Sequence, residues 1–232
     1  MANWAAGAGW RPATSGTGFW RYLMACGGAP GGGRDCWLMA GSSRGLLVVI
    51  SGPSGSGKTS VCNEVLRRLP RSRWSVSITT RPPRGNEQDG VEYHFVSAER
   101  ARELIEGGEL LEHAEYLGHT YGTPRGPVEE AVDRGEVVVL EIDVQGAAQV
   151  AASFPESVRI FLSPPDREAL ERRLAGRKTE TAEQQRRRIA EAEREIAFAR
   201  DSGAYQHFVT NDILERCVSQ VLGIVTEALQ SR

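Results

Sequence analysis

Residues 46–60 read LLVVISGPSGSGKTS. The run Leu46 to Ile50 shows no polar alternation, which marks a strand buried on both faces of a parallel sheet. The next segment, Gly52-x-x-x-x-Gly57-Lys58-Thr59, has the spacing of a phosphate-binding loop that leads into a helix. Across Gly52, Pro53, Ser54, Gly55, Ser56 and Gly57, the glycines free the backbone to turn N–H groups inward around phosphate oxygens. The positive end of the helix adds to that attraction. Lys58 brings a positive charge to the β and γ phosphates, and the Thr59 hydroxyl stands where it can ligate Mg²⁺. Strand, loop and helix together predict a site for a nucleoside triphosphate with its Mg²⁺. They leave the destination of the phosphate open.

The 232-residue chain is 40% hydrophobic and 25% charged, enough to bury one full core and a small appended lobe. A formal net charge of −2 excludes a global basic field for nucleic acid or an anionic membrane, so phosphate binding must be local. No apolar run approaches the ~18 residues that a membrane span needs. Cys26, Cys36, Cys62 and Cys217 are scattered, without a C-x-x-C pair or a His at ligand spacing. That favours reduced thiols in a cytoplasm-like compartment over a zinc site or disulfides. Residues 1–44 stand apart: rich in Gly and Ala, holding Trp4, Trp10, Trp20 and Trp37, and with neither a helical nor a strand period. Asp35 is their one acidic residue against Arg11, Arg21, Arg34 and Arg44. The segment reads as a disordered or non-native leader, with Met39 as an alternative start. The competing reading is a transit peptide, which would move the protein from the cytoplasm to an organelle matrix.

From Gly45 onward apolar runs alternate with helical patterns, the signature of an α/β sheet with helices on both faces. Strands are expected at 46–51, 137–142, 158–162 and 208–210. Helices are expected at 59–69, stopped by Pro70, and from 212 to about 229. Residues 74–122 have another texture: short half-buried strands at 74–78, 91–96 and 109–116, and one helix at 98–106, begun by Ser97 and ended by Gly107-Gly108. They predict an antiparallel insertion hinged on the main sheet. A helix at 166–175, a break at Gly176-Arg177-Lys178, and a second helix begun by the capping box Thr181-x-x-Gln184 and running to about 200 complete the pattern. This hairpin carries Arg172, Arg173, Arg177, Lys178, Arg186, Arg187 and Arg188. Interleaved Glu and Asp allow a solvated hairpin, whereas the phosphate loop upstream favours a mobile lid that brings arginines onto phosphates. The expected organisation is a core of 45–73, 124–175 and 200–232, a lobe of 74–123 and a lid of about 176–199.

The acceptor is to be read from the lobe. No Asn-Lys-x-Asp guanine motif of a GTPase is present, although Glu141 and Asp143, at the end of the 137–142 strand, could serve a hydrolysing ATPase. In SVSITTRPPRGNEQDGVEYHF, Arg81 and Arg84 lie three apart across two prolines, with Tyr93 nine residues further on. A stiff loop can present two guanidinium groups to one dianionic phosphate. Glu112 lies in LLEHAEY, and Tyr121 and Thr123 lie in HTYGTP. A buried carboxylate beside hydroxyl donors suits guanine, whose N1–H and N2–H₂ donate and whose O6 accepts. Adenine would leave such a carboxylate unpaired, at a cost of ~1–3 kcal/mol. Spacing alone does not put Glu112 against a base.

With these residues in place, the chain resembles the guanylate kinase family over 188 of its 232 residues, from Gly45 to Arg232. The likeness runs through GPSGSGKT, SVSITTRPPR, GVEYHFV, LLEHAEYLGHTYGT, VVLEIDVQGA, FLSPP, RRLAGRKTET and VTND in order. It implies a nucleoside monophosphate kinase with a parallel-sheet core, a small mixed GMP-binding lobe and a helical lid. That enzyme would transfer the γ-phosphate of ATP to GMP or dGMP with Mg²⁺ required. The resemblance further implies that Ser77 bonds guanine O6, and that Glu112 and Asp143 accept from its N–H groups, with Thr123 assisting. Arg81, Arg84, Tyr93 and Tyr121 would hold the GMP phosphate. Arg173, Arg177 and Arg188 would join Lys58 in neutralising the transferring phosphoryl group, and Asn211 and Asp212 would lie on the adenine side of the ATP site. Glu141 and Thr123 stand where some members carry Asp and Ser. Expected partners are ATP and GMP alone, with no nucleic acid or membrane, in a monomer or homodimer. Two rivals stay open: a non-catalytic peptide-binding module of the same fold, and a kinase for another acceptor such as a sugar phosphate.

Overall fold

The computed structural model describes residues 44–175 and 182–232. The leader reading for 1–43, and those for Arg177, Lys178 and the capping residue Thr181, lie outside the described residues. In chain order the first elements are β1 (Leu46–Ser51), α1 (Lys58–Arg68), β2 (Ser72–Trp74), β3 (Ser77–Thr79), β4 (Tyr93–Phe95) and α2 (Ala98–Glu106). Then come β5 (Leu110–Tyr116), β6 (His119–Pro124), α3 (Arg125–Asp133), β7 (Val137–Glu141) and α4 (Val144–Ser153). The rest are β8 (Val158–Ser163), α5 (Arg167–Ala175), α6 (Ala182–Asp201), β9 (His207–Thr210) and α7 (Leu214–Gln230).

The main sheet has the order β2-β7-β1-β8-β9, and every pair in it is parallel. Strand β1 is central and wholly buried, and its period of two feeds both faces. Leu46, Val48 and Ile50 pack with Val61, Val65, Val218 and Val221 of α1 and α7. Leu47 and Val49 pack on the other face with Val128 and Val132 of α3, Val150 of α4 and Ala199 of α6. Full burial of each such side chain contributes roughly 1.5–3 kcal/mol, which is why this strand carries no polar residue before Ser51. Arg44, read from the sequence as the last residue of the leader, is tied to the domain by ion pairs with Asp133 and Glu156, both at 2.9 Å.

A second sheet, β4-β3-β6-β5, forms the insertion. It is mixed: β3 pairs in parallel with β4 and antiparallel with β6, so the expectation of a purely antiparallel insertion is corrected. The single strand expected at 74–78 is also corrected. The chain changes sheets at Ser75-Val76: Trp74 pairs with Val139 in the main sheet, whereas Ser77 pairs with Tyr93 in the insertion. Helix α2 begins as expected, with the Ser97 side chain accepting from the Arg100 N–H, and closes a small core of Ile78, Ala101, Leu104 and Leu110. In the helical hairpin, α5 packs on α6 through Leu170, Leu174 and Ala192. Asp166 caps α5 by accepting from the Ala169 N–H at 2.6 Å.

Candidate active site

Strand β1 delivers the phosphate loop to the carboxyl-end rim of a parallel sheet, where such sheets place their ligands. Two glycines there are required by geometry. Gly52 has φ 153°, and a Cβ on it would lie 2.3 Å from the Leu162 carbonyl oxygen. Gly57, the N-cap of α1, has φ 88°, and its Cβ would lie 2.5 Å from Asn211 Nδ2. Lys58, the first residue of α1, folds back so that Nζ donates to the carbonyls of Gly52 (2.6 Å) and Pro53 (3.2 Å). Burial lowers its pKa, while the negative charges of Glu141 and Glu195 work against the shift. Thr59 Oγ1 donates to Glu141 Oε1 at 2.9 Å, across the β1–β7 pair that sets Ile50 beside Glu141.

Three further elements converge on the loop. Asn211, just after β9, donates from Nδ2 to the Ser56 carbonyl at 2.8 Å. Arg173 of α5 donates to the Asn211 carbonyl at 2.7 Å and to that of Ser56 at 3.4 Å. Arg188 of α6 donates to Ser54 Oγ at 2.9 Å. Ser56 Oγ is buried without a partner among the described residues. Asp212 turns away to its own helix, accepting from the Ile213 N–H (2.6 Å) and pairing with Arg216 (2.5 Å). Arg177 lies outside the described residues.

The oxygen donors fit a magnesium nucleotide. Mg²⁺ prefers one or two protein oxygens with the rest of its shell from phosphates and water, and Thr59 with Glu141 supplies that hard-oxygen pair. Among the described residues no group of three or more His, Cys, Asp or Glu could form a dedicated metal cage.

The insertion builds two neighbouring constellations. In one, Arg81 is 6% exposed and lies over the rings of Tyr93 (5.1 Å) and Phe95 (5.8 Å). Tyr93 in turn meets Tyr121 edge-on at 5.9 Å. Glu87 grips Arg81 through both oxygens, at 2.6 and 2.7 Å, and accepts the Arg84 N–H at 2.8 Å. The Arg81 guanidinium holds the Glu87 pKa down at about 2. Sequence reasoning missed Glu87; its signal was only its place three residues after Arg84 in the arginine loop. The Arg84 side chain is exposed and Ser77, first in β3, is half-buried; neither side chain is bonded to the Arg81–Glu87 pair.

In the other constellation, Glu112 of β5 is 6% exposed and accepts the Thr123 hydroxyl at 2.6 Å across the β5–β6 pair. Its second oxygen faces Gly146, where a Cβ would come within 2.8 Å. Asp143, the N-cap of α4, accepts from the N–H groups of Gln145 and Gly146, both at 2.9 Å. Burial first, then the Asp143 charge, pushes the Glu112 pKa up to about 7, against the Thr123 bond. A carboxylate kept dry and close to a second one is poised for a ligand that donates hydrogen bonds. Glu195 of α6, also missed from the sequence, is raised to about 7 by burial, with Lys58 opposing.

A family profile described as guanylate kinase matches residues 44–228. A guanylate kinase of Thermus thermophilus is 48% identical over 183 residues, 79% of this chain and 81% of that protein. One from Symbiobacterium thermophilum is 45% identical over 187 residues, 81% of this chain and 87% of that protein. Among solved structures, the crystal structure of guanylate kinase from Anaplasma phagocytophilum superposes with a TM-score of 0.62 at 34% identity, covering 80% of this chain and 87% of that one. Sequence, fold and the inserted sheet beside the phosphate loop agree, and the chain belongs to the guanylate kinase family.

Proposed function

We propose that this protein transfers the γ-phosphate of ATP to GMP, and to dGMP in the same pocket, giving ADP and GDP in guanine nucleotide recycling in the cytoplasm. The observation that carries the acceptor is the buried Glu112–Thr123 pair beside Asp143. Two carboxylates there match the N1–H and N2–H₂ donors of guanine, and the Ser77 hydroxyl matches O6, while Thr123 assists by holding Glu112 with its one hydroxyl hydrogen. Neither a sugar phosphate nor a peptide offers that edge.

In this reading the main sheet and its helices are the core, the insertion of 75–123 is the acceptor lobe, and the hairpin from about 176 to 199 is the lid. Gly52 to Thr59 cradle the ATP phosphates, with Asn211 and Asp212 on the adenine side. Thr59, with Glu141 behind it, would hold Mg²⁺, which when bound would supply positive charge to the phosphates. Arg81, Arg84, Tyr93 and Tyr121 hold the GMP phosphate. Lys58 exchanges its two loop carbonyls for phosphate oxygens, and Arg173, Arg177 and Arg188 neutralise the charge that spreads over the transferring group. Phosphoryl transfer passes through a loose transition state, so the work of these side chains is alignment, charge neutralisation and exclusion of water.

The deciding assay is ADP formation from Mg-ATP with GMP, dGMP, AMP, CMP, UMP and a sugar phosphate offered separately. Turnover with GMP and dGMP alone is expected. Turnover with the sugar phosphate instead would favour a kinase for another acceptor, and failure of every acceptor to support turnover would favour the non-catalytic peptide-binding module.

A further inference from the structure

The base-reading carboxylate sits on an exposed edge that another element has capped. Strand β5 ends the order β4-β3-β6-β5, so one side of it has no strand neighbour. Helix α4 fills that role with side chains. Gln149 accepts the His113 N–H at 3.0 Å and donates to the His113 carbonyl at 2.9 Å, so its carboxamide stands in for the peptide group of a paired strand. Ser153 Oγ donates to the Leu111 carbonyl at 2.8 Å. Leu111 and His113 flank Glu112, whose own backbone points the other way, toward β6.

The match is one of pitch. Four helical residues advance ~6 Å along the axis. Two strand residues advance ~6.8 Å. Gln149 and Ser153 can therefore meet alternate residues of an antiparallel strand without strain. The same helix begins at Asp143 and passes Gly146, which lies against Glu112 Oε2, so one rigid ruler carries the second carboxylate and fixes its distance to the first.

We propose that Gln149, assisted by Ser153, is a specificity-determining positioning residue: by clamping β5 on both sides of Glu112 it holds the Glu112–Asp143 pair at the spacing of the guanine N1–H and N2–H₂ donors. The inference rests on GMP being the acceptor. Without the clamp the outer edge of β5 is free to shift. A carboxylate displaced by a few tenths of an ångström loses discrimination before it loses chemistry, because transfer takes place at the other end of the acceptor.

The test is steady-state kinetics of Gln149→Leu and Ser153→Ala, with GMP and AMP as acceptors and the thermal midpoint followed for each protein. For Gln149→Leu the KM for GMP should rise about tenfold and the kcat/KM preference for GMP over AMP should fall about tenfold, with kcat and the KM for ATP changed less than about twofold. Ser153→Ala should show the same pattern, smaller, and decides the matter if Gln149→Leu does not fold. A GMP KM within about twofold of wild type in folded Gln149→Leu overturns the clamp, as does a fall of kcat together with a rise of both KM values, which marks a general structural role. Failure of the wild type to use GMP would instead sink the acceptor reading.

Discussion

Glu112 illustrates how a single side chain can trade stability for recognition. Its folded-state pKa of about 7 lies above the ordinary value of 4.5 that the unfolded chain retains. The protonated form is thus favoured by folding. Relative to a neutral residue, the cost of keeping the carboxylate is absent below pH 4.5, grows between the two values and is complete above pH 7. At 1.36 kcal/mol per pH unit that cost is on the order of 3 kcal/mol. Glu112→Gln should therefore raise stability at pH 8 by about 1–3 kcal/mol, a gain that shrinks toward pH 5, while weakening GMP binding at least tenfold. Thermal melts at both pH values, beside GMP kinetics at pH 8, read this out; a destabilised variant at pH 8 would remove the buried charge from the account. In the wild type the KM for GMP should climb as the pH falls from 8 through about 7. At the proposed phosphate clamp, Glu87 takes one hydrogen each from the two terminal nitrogens of Arg81, and the Pro82 carbonyl takes another from Nη1. The Arg81 side chain is also hydrogen-bonded to Tyr121, so that guanidinium and phenol can be presented to phosphate together. Arg81→Ala should raise the KM for GMP by about ten- to a hundredfold, losing a charge-assisted contact of roughly 1.5–3 kcal/mol. Glu87→Gln should raise it less, in the same direction. A lower KM in Glu87→Gln would mean that Glu87 competes with the phosphate rather than aiming the arginine.

Among the elements, those with local signals were legible in the sequence and those defined by distant partners were not. Strand β1 matches its expected residues, and α1 starts within one residue of expectation, because an apolar run and a glycine-to-lysine junction are local facts. Helix α2 has a serine cap and a glycine stop, and its boundaries agree as well. Strand β6 escaped notice because HTYGTP carries a glycine and a proline, both poor strand residues. Its stability comes from pairing with β3 and β5, and Gly122 suits the crowding there, where a Cβ would lie 2.8 Å from Leu110 Cδ1 and 3.0 Å from the Glu112 carbonyl oxygen. The grips of Gln149 on β5 and Glu87 on Arg81 were invisible for the same reason: nothing in a residue's neighbours in sequence names its partner across the fold. The loop-to-helix junction offers a test at this scale. Gly57→Ala forces a Cβ into a left-handed conformation, costing about 1–2 kcal/mol, and drives it against the Asn211 side chain that holds the Ser56 carbonyl. For a chain of this size the thermal midpoint should drop by about 2–4 °C per kcal/mol. Activity should decline by about a hundredfold or more, since misplacement of the loop misaligns every phosphate contact at once. A variant with normal kcat would show that the turn at Gly57 tolerates repair.

At the scale of the whole molecule, the phosphate loop stands on the main sheet and Arg81 and Glu112 on the insertion, with Asp143 acting on Glu112 from the start of α4, after β7; the two sheets are joined where the chain changes sheets at Ser75-Val76 and again where β6 runs into α3. Lys58, Arg173 and Arg188 already converge on the phosphate loop, held there by its carbonyls and by Ser54. Each of these cations gains more from a phosphate anion than from a neutral carbonyl, so ATP should order the hairpin further. GMP should likewise order the insertion through Arg81 and Glu112. The cost of ordering the first partner is not incurred again by the second, which makes the two sites thermodynamically coupled. Either ligand alone, at a hundred times its Kd, adds about 2.7 kcal/mol of stability. A tenfold mutual enhancement adds about 1.4 kcal/mol beyond the sum of the two. Thermal melts with GMP, with a non-hydrolysable ATP analogue and Mg²⁺, and with all three should therefore show a midpoint for the ternary mixture about 3–5 °C above the additive expectation. Strict additivity would mean that ordering of the hairpin by ATP and ordering of the insertion by GMP are independent events.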